Sequence, residues 1–105
     1  MALSWPLSGA AINFVASGDN TLVAGVAGQI ITVYQIFFVV SAAATLTFKD
    51  GATALTGAMS FTANGSLTFA FDTSPWFSTS PGNSFVLTQT TTTAQVSGRI
   101  YYSQR

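Results

Sequence analysis

The chain has 105 residues, which fits a single domain, and a formal net charge of zero with 6% charged residues. Typical soluble proteins carry roughly 25%. The three basic residues are scattered along the chain. Proteins that bind nucleic acids or anionic membranes carry clusters of Lys and Arg, so the composition argues against both functions. Because 49% of the residues are hydrophobic, we expect part of the apolar surface to lie in a permanent contact. A monomer coated with Thr and Ser is the alternative.

Few side chains in this chain can carry out acid–base or nucleophilic chemistry. There is no His, Cys or Glu, and the carboxylates are Asp19, Asp50 and Asp72. Each falls in a predicted turn or loop, where a structural role is expected. A zinc site lacks ligands, and a nucleophilic hydroxyl lacks a base in a recognisable motif. We therefore expect no enzyme, no catalytic residue, no cofactor and no metal.

The N-terminal residues 1–9 are predicted to form an irregular arm ahead of a β domain at 10–105. Pro6 interrupts regular structure in this arm. Trp5 and Leu7 are candidate contacts to a neighbouring molecule, because Trp is enriched at protein contacts. For Trp5 a plug under the domain is the alternative.

Neither a secretory signal nor a membrane span is apparent. The N-terminus lacks the positive n-region of a signal peptide. The longest apolar run, 30–40, is shorter than the roughly 20 residues of a membrane-spanning helix. We therefore expect a soluble protein.

The central stretch 29–41 is dense in β-branched and aromatic residues and contains no Gly, Pro or charge. A half-exposed strand alternates apolar and polar side chains, but residues 36–40 are apolar on both faces. One face is expected to be core and the other a subunit contact. The core face is either Ile36, Phe38 and Val40 or the alternate pair Phe37 and Val39, and the sequence leaves both open.

Short strands separated by turn signals fill the rest of the chain. The dipeptides Asp50-Gly51 and Asn64-Gly65 predict hairpin turns, which would make the middle third a meander. The longest loop, 72–83, holds Trp76 and Phe77. Further strands are expected at 11–16, 21–26, 45–49, 52–59, 66–71, 85–90 and 94–103. Their inward rows would be Leu46/Phe48, Leu67/Phe69/Phe71 and Val96/Ile100/Tyr102.

This pattern of about eight short strands without a helical period predicts an all-β, single-domain antiparallel β-sandwich. A jelly roll, with eight strands in two sheets, is the predicted topology. An immunoglobulin-like sandwich is the alternative. The aromatic side chains are expected to be core or interface anchors, and a sugar-stacking platform is the other reading.

Three segments resemble small β-rich virion proteins of tailed bacteriophages. They are 49–66, with Leu-Thr-Gly-Ala-Met and Ala-Asn-Gly, then Pro75-Trp-Phe77, and then 96–102, a glycine-containing aromatic strand. With 23–30 upstream, the likeness covers the chain from about residue 20 onward. Among such proteins the chain resembles jelly-roll capsid decoration (cement) proteins.

The resemblance implies a homo-oligomer, with a trimer as the expected order, that binds the major capsid protein on the outer surface of the virion. It implies no catalytic residues. The alternative function is a head-fibre or tail-fibre module that binds the host surface or glycans, with Trp76 and Phe77 as the motivating pair. The identity of the capsid, its symmetry axis and the choice between trimer and dimer stay open. The predicted partner-interface residues are Trp5, Leu7, Phe37, Phe38, Trp76, Phe77 and Tyr101.

Overall fold

The computed structural model describes residues 7–90 and 92–105. These residues include no helix that could cross a membrane. They form ten strands: β1 (Ser8–Phe14), β2 (Gly18–Val23), β3 (Ile31–Val40), β4 (Ala44–Asp50), β5 (Thr53–Ala54), β6 (Met59–Phe61), β7 (Ser66–Phe69), β8 (Phe77–Ser78), β9 (Phe85–Gln89) and β10 (Val96–Gln104).

The strands form two antiparallel sheets that pack face to face. The first sheet has the order β1-β10-β3-β7, with β8 also paired to β3, and the second has the order β2-β9-β4-β5, with β6 also paired to β4. The pairs β5/β6 and β7/β8 each occupy one strand position, which gives eight positions in the orders 1-8-3-6 and 2-7-4-5. This is the strand order of a jelly roll, so the predicted fold is confirmed. The immunoglobulin-like alternative is wrong, because β1 and β2 lie in different sheets.

The central strand β3 contains an irregularity, and the face of the strand that points to the core differs on its two sides. Its register against β10 shifts between Tyr101 and Tyr102, which leaves Tyr34 as an extra residue in β3. Such a β-bulge reverses the inward and outward alternation on either side of it. The core-facing residues of β3 are therefore Ile31 and Val33 before the bulge and Ile36, Phe38 and Val40 after it, each at most 2% exposed.

Aromatic rings from both sheets fill the middle of the sandwich. Phe48 of β4 stacks on Phe85 of β9 at a centroid distance of 5.5 Å, and Phe77 of β8 lies 4.9 Å from Phe48. Phe38 of β3 contacts Phe61 edge-on at 5.5 Å. Each ring that leaves water contributes roughly 1.5–3 kcal/mol, so this cluster is a main source of the cohesion between the two sheets.

The middle third of the chain is not a simple meander. Asp50-Gly51 forms the predicted hairpin, with Asp50 paired to Thr53 and Gly51 at a φ of 60°. Asn64-Gly65 does reverse the chain, but β6 pairs with β4 in the second sheet and β7 pairs with β3 in the first. The second turn is thus a crossover between sheets, because a local turn signal specifies a reversal and not the sheet that the next strand joins.

Several strand limits also differ from the sequence prediction. Strand β1 begins at Ser8, so the last two residues of the predicted arm belong to the first sheet. The return strand predicted at 52–59 is broken into β5 and β6. Strand β7 ends at Phe69, and Phe71, predicted to point inward, is 47% exposed. The predicted loop 72–83 contains β8.

One fully buried polar side chain, Gln89, holds the segment before β10 in place. Its Nε2 donates to the carbonyl of Ala94 at 3.1 Å, and its Oε1 accepts from the Ala94 amide at 2.8 Å and from Thr92 Oγ1 at 2.9 Å. The buried backbone of Ala94 therefore depends on this amide for both of these hydrogen bonds.

We expect Gln89→Met to lower the free energy of unfolding by about 2–4 kcal/mol, because similar volume is kept while buried backbone groups lose their partners. Gln104→Met is the matched control, since its amide makes one exposed hydrogen bond, to the carbonyl of Ala24. Its expected cost is less than about 1 kcal/mol. Urea denaturation measures both values. Equal costs for the two variants would contradict the structural role assigned to Gln89.

Candidate interaction surface

The side of the first sheet that points away from the core, here called the outer face, carries exposed apolar side chains in its middle strand. Phe37 is 39% and Val39 is 44% exposed. The register places Phe37 between Arg99 and Thr68, and Val39 between Ser97 and Ser66. By the alternation of side chains along each strand, the outer face consists of Ala11, Asn13, Gln35, Phe37, Val39, Ser66, Thr68, Ser97, Arg99 and Tyr101.

Arg99 is held in a defined position beside Phe37. Its Nε donates to the hydroxyl of Tyr101 at 3.1 Å, and its guanidinium carbon lies 5.3 Å from the centre of the Tyr101 ring. A Cβ added to Gly9 would lie 2.6 Å from Arg99 Nη2, so the guanidinium covers the bare backbone of β1. The described residues show no ion pair for Arg99. A cation ordered by cation–π contact can bind a carboxylate with little further loss of entropy.

The outer face has the composition of a protein contact. An aromatic and an aliphatic side chain lie at its centre, an ordered Arg–Tyr pair lies beside them, and Ala, Ser, Thr and Asn surround them. Interfaces are enriched in aromatic residues and Arg at the centre and carry a polar rim. The outer face is therefore suited to binding another protein surface.

Trp76 lies at the β8 edge of the first sheet and belongs to a different surface. Its ring stacks on Phe69 at 4.4 Å with an interplanar angle of 13°, and its Nε1 donates to the carbonyl of Ala70 at 2.8 Å. It is still 43% exposed. Close by, the exposed ring of Phe71 lies 6.3 Å from that of Tyr34, which gives this edge a second aromatic side chain accessible to a ligand.

The predicted interface residues that the structure describes do not form one surface. Trp5 lies outside the described residues, and Leu7 is half-buried. The interface predictions for Phe38 and Phe77 are corrected, because Phe38 lies in the core and is 2% exposed, and Phe77 packs against the core cluster. Only Phe37 and Tyr101 share the outer face, while Trp76 stands apart from them at the sheet edge.

Arg99 and Val39, which lie beside Phe37 at the centre of the outer face, are not among the predicted interface residues. The signal for Arg99 was its position in β10, two residues before Tyr101, which places both on one face of a strand. Val39 belongs to the sequence prediction only with Phe37, as one face of β3 that is either core or subunit contact. The deciding observation is the bulge at Tyr34, which no residue pattern marks beyond a break in the alternation.

Two of the three aspartates join neighbouring segments of the second sheet, and Asp19 does so from strand β2 and not from the predicted turn. Asp19 accepts hydrogen bonds from Thr88 Oγ1 at 2.6 Å and from Lys49 Nζ at 3.1 Å. Asp50 accepts from the backbone and hydroxyl of Ser80 and from Asn83 Nδ2, all between 3.0 and 3.1 Å. Among residues 7–90 and 92–105, no group of three or more His, Cys, Asp or Glu side chains gathers, and no pocket is found.

Hydrogen bonds hold the pKa of both aspartates below the usual value. Hydrogen bonds from Thr88 and from Lys49, with the charge of Lys49, lower the pKa of Asp19. For Asp50, burial raises the pKa, but hydrogen bonds from Asn83 and Ser80 together outweigh it, so its pKa is lowered as well. The folded state therefore favours the ionised form of each carboxylate.

Below about pH 8, stability should consequently fall only in acid. A lowered folded-state pKa contributes stability that is complete above the unfolded value of about 3.9 and is lost as the pH falls through the folded value. With no His, Glu or Cys in the chain, we expect an unfolding free energy that is nearly flat from about pH 5 to 8. Denaturation series on the wild type and on Asp19→Asn/Asp50→Asn test this, and the double variant should have the shallower acid limb. A steep dependence near pH 6 would contradict the assignment.

No family model, curated protein or solved structure matches this chain. The jelly-roll assignment therefore rests on the strand order. The likeness to phage virion proteins remains a hypothesis.

Proposed function

We propose that this protein is a non-catalytic capsid decoration protein of a tailed bacteriophage. It acts as a homo-oligomer, with a trimer as the expected order, that binds the major capsid protein on the outer surface of the head and stabilises the capsid lattice. The observation that carries the proposal is the outer face, where Phe37 and Val39 are exposed at the centre of a sheet with few charges. The sequence resemblance and the occurrence of jelly rolls among capsid proteins support it as analogies.

In this proposal the outer face joins copies of the chain to each other. Exposed apolar side chains of this size mark contact sites, and apolar burial stabilises a contact by about 25 cal/mol per Å² before the costs of association. A preformed oligomer then presents several copies of one binding surface to the capsid. Their simultaneous engagement raises the overall affinity without any new contact.

The test is whether the protein occurs on intact heads and in what ratio to the major capsid protein. Virions purified from the source of the sequence should contain it at a fixed stoichiometry, accessible to antibody on the head surface. Heads assembled without it should bind the recombinant wild type and should bind Phe37→Asp at least about tenfold more weakly, because loss of the oligomer removes avidity. Absence from heads would overturn the proposal.

A second candidate, a fibre module that binds host glycans, is favoured by one observation. Trp76 is 43% exposed and is held flat against Phe69, an arrangement that would allow a sugar ring to stack on its free side. Glycan-array binding that is lost in Trp76→Ala and kept in Phe37→Ala would support this function over decoration. Binding to heads with no glycan binding would reject it.

A further inference from the structure

The free edge of β1 is the one long sheet edge of the described residues that lacks the usual protections against pairing. Native sheets protect their edges with charges, proline, bulges or short strands. Strand β1 has seven residues and neither a charge nor a proline. Its pairing with β10 runs without a register shift from Ser8 to Phe14. The edge is therefore straight, uncharged and long enough to accept another strand.

The other three edges of the sandwich differ from β1. On the same side of the molecule, β2 carries Asp19, ion-paired to Lys49, and its register shifts between Thr21 and Val23. On the opposite side each edge is broken into short pieces, β5 and β6 with two and three residues and β7 and β8 with four and two. The lack of protection is thus specific to β1.

Backbone N–H and C=O groups on one side of β1 are available for further hydrogen bonds. The strand pairs with β10 on one side, and within the described part of the chain no strand pairs with its other side. In an antiparallel strand, alternate residues direct their N–H and C=O groups to opposite sides. Every second residue of β1 therefore presents both groups outward, ready to bond an added strand.

We infer that this edge pairs with the same edge of a second copy of the chain. The two β1 strands would run antiparallel about a two-fold axis at Ala11, joining the first sheets of the two copies into one continuous sheet. An antiparallel strand pair is self-complementary, as a two-fold contact requires.

The side chains of β1 fit this register on both faces of the joined sheet. On the core side Ser8 would lie opposite Phe14, and Ala10 opposite Ile12. On the outer side Gly9 would lie opposite Asn13, and Ala11 opposite its own copy. Each of the first three pairs sets a small side chain against a larger one, and no like charges meet. The inference does not depend on the capsid proposal, since it rests on the backbone edge of β1 and not on Phe37 or Val39.

Single cysteines test the register, because the natural chain contains no Cys. Ala11 is exposed, and directly opposed residues have Cβ atoms about 4.5–5.5 Å apart, near disulfide range. Under mild oxidation at the high protein concentration at which the copies are paired, we expect Ala11→Cys to form disulfide dimers at least about tenfold faster than Asn13→Cys. The latter thiol would lie roughly 13 Å from its copy, four residues out of register. Thr53→Cys, exposed in β5 on the opposite side of the molecule, is a second control.

Amide hydrogen exchange on the wild type gives an independent result, because it does not depend on whether a variant folds. The outward amides of β1 should be protected at high protein concentration and exchange at least about tenfold faster on dilution. Ala11→Lys should show the fast exchange at both concentrations, because it places two positive charges opposite each other. The inference is overturned by equal disulfide rates in the three cysteine variants. It is also overturned by β1 protection that neither dilution nor Ala11→Lys reduces, which would mean that the edge is covered within one chain.

Discussion

Phe38→Asp is expected to unfold the domain, whereas Phe37→Asp is expected to leave it folded and to remove the self-association proposed for the outer face. The two residues are adjacent in β3, yet Phe38 is 2% and Phe37 is 39% exposed. Removing a buried Phe ring costs about 3–5 kcal/mol, and an unpaired buried carboxylate adds several kcal/mol. The sum is comparable to the entire stability of a domain of this size, about 5–15 kcal/mol.

We expect Phe37→Asp to change a different free energy, that of the association proposed for the outer face. Its carboxylate stays in water, so the thermal midpoint of the isolated domain should shift by less than about 5 °C, as for a surface substitution. Circular dichroism measures folding, and light scattering measures mass. A soluble, folded Phe37→Asp of smaller mass than the wild type and an unfolded or aggregated Phe38→Asp are the expected pair of results. Identical behaviour of the two variants would refute the division of β3 into a core face and a contact face.

Gly98→Ala is expected to be the most destabilising single-methyl change in the first sheet. Gly98 pairs with Ile12 of β1 and with Phe38 of β3. A Cβ at this position would overlap the carbonyl oxygen of Phe37 and come within 2.6 Å of Phe38 Cα. Because these are backbone atoms, the methyl group can be accommodated only by moving β10 away from β3. We expect a loss of about 3 kcal/mol, or a thermal midpoint lower by roughly 10–20 °C.

Gly57→Ala is the matched control for Gly98→Ala. Gly57 lies in the exposed break between β5 and β6, with no atom within 4 Å of an added Cβ. The same substitution should be neutral there or raise stability by up to about 1 kcal/mol, because it reduces the entropy of the unfolded chain. Differential scanning calorimetry compares the two variants. A Gly98→Ala variant as stable as Gly57→Ala would show that β10 and β3 do not approach as closely as described.

Much of the fold could be predicted because its signals are local. The alternation of Leu46 and Phe48 in β4 matches their complete burial, and Asp50-Gly51 forms the hairpin that its composition requires. Short strands with turn residues between them, and no helical period, predict two sheets and not a helical bundle. These features depend on the period of a strand and the φ preferences of turn residues, and both can be read from neighbouring positions.

The candidate surface was less predictable, because its members meet only across strands. Arg99 lies beside Phe37 through the β10–β3 register, although the two residues are far apart in the sequence. Adjacent aromatic pairs were misleading: Phe77 packs in the core, while Trp76 is exposed at the edge. Neighbours in a strand point to opposite faces, so such a pair seldom forms one surface.

The amino-acid sequence by itself determined that β3 is a long strand with apolar side chains on both faces. Only the tertiary structure decided which face is buried. The reason is the bulge at Tyr34, which reverses the alternation, so that Val33 and Phe38 both reach the core although their spacing is odd. A bulge is set by the register of two strands, and register is a property of the packed sheet that a single strand cannot specify.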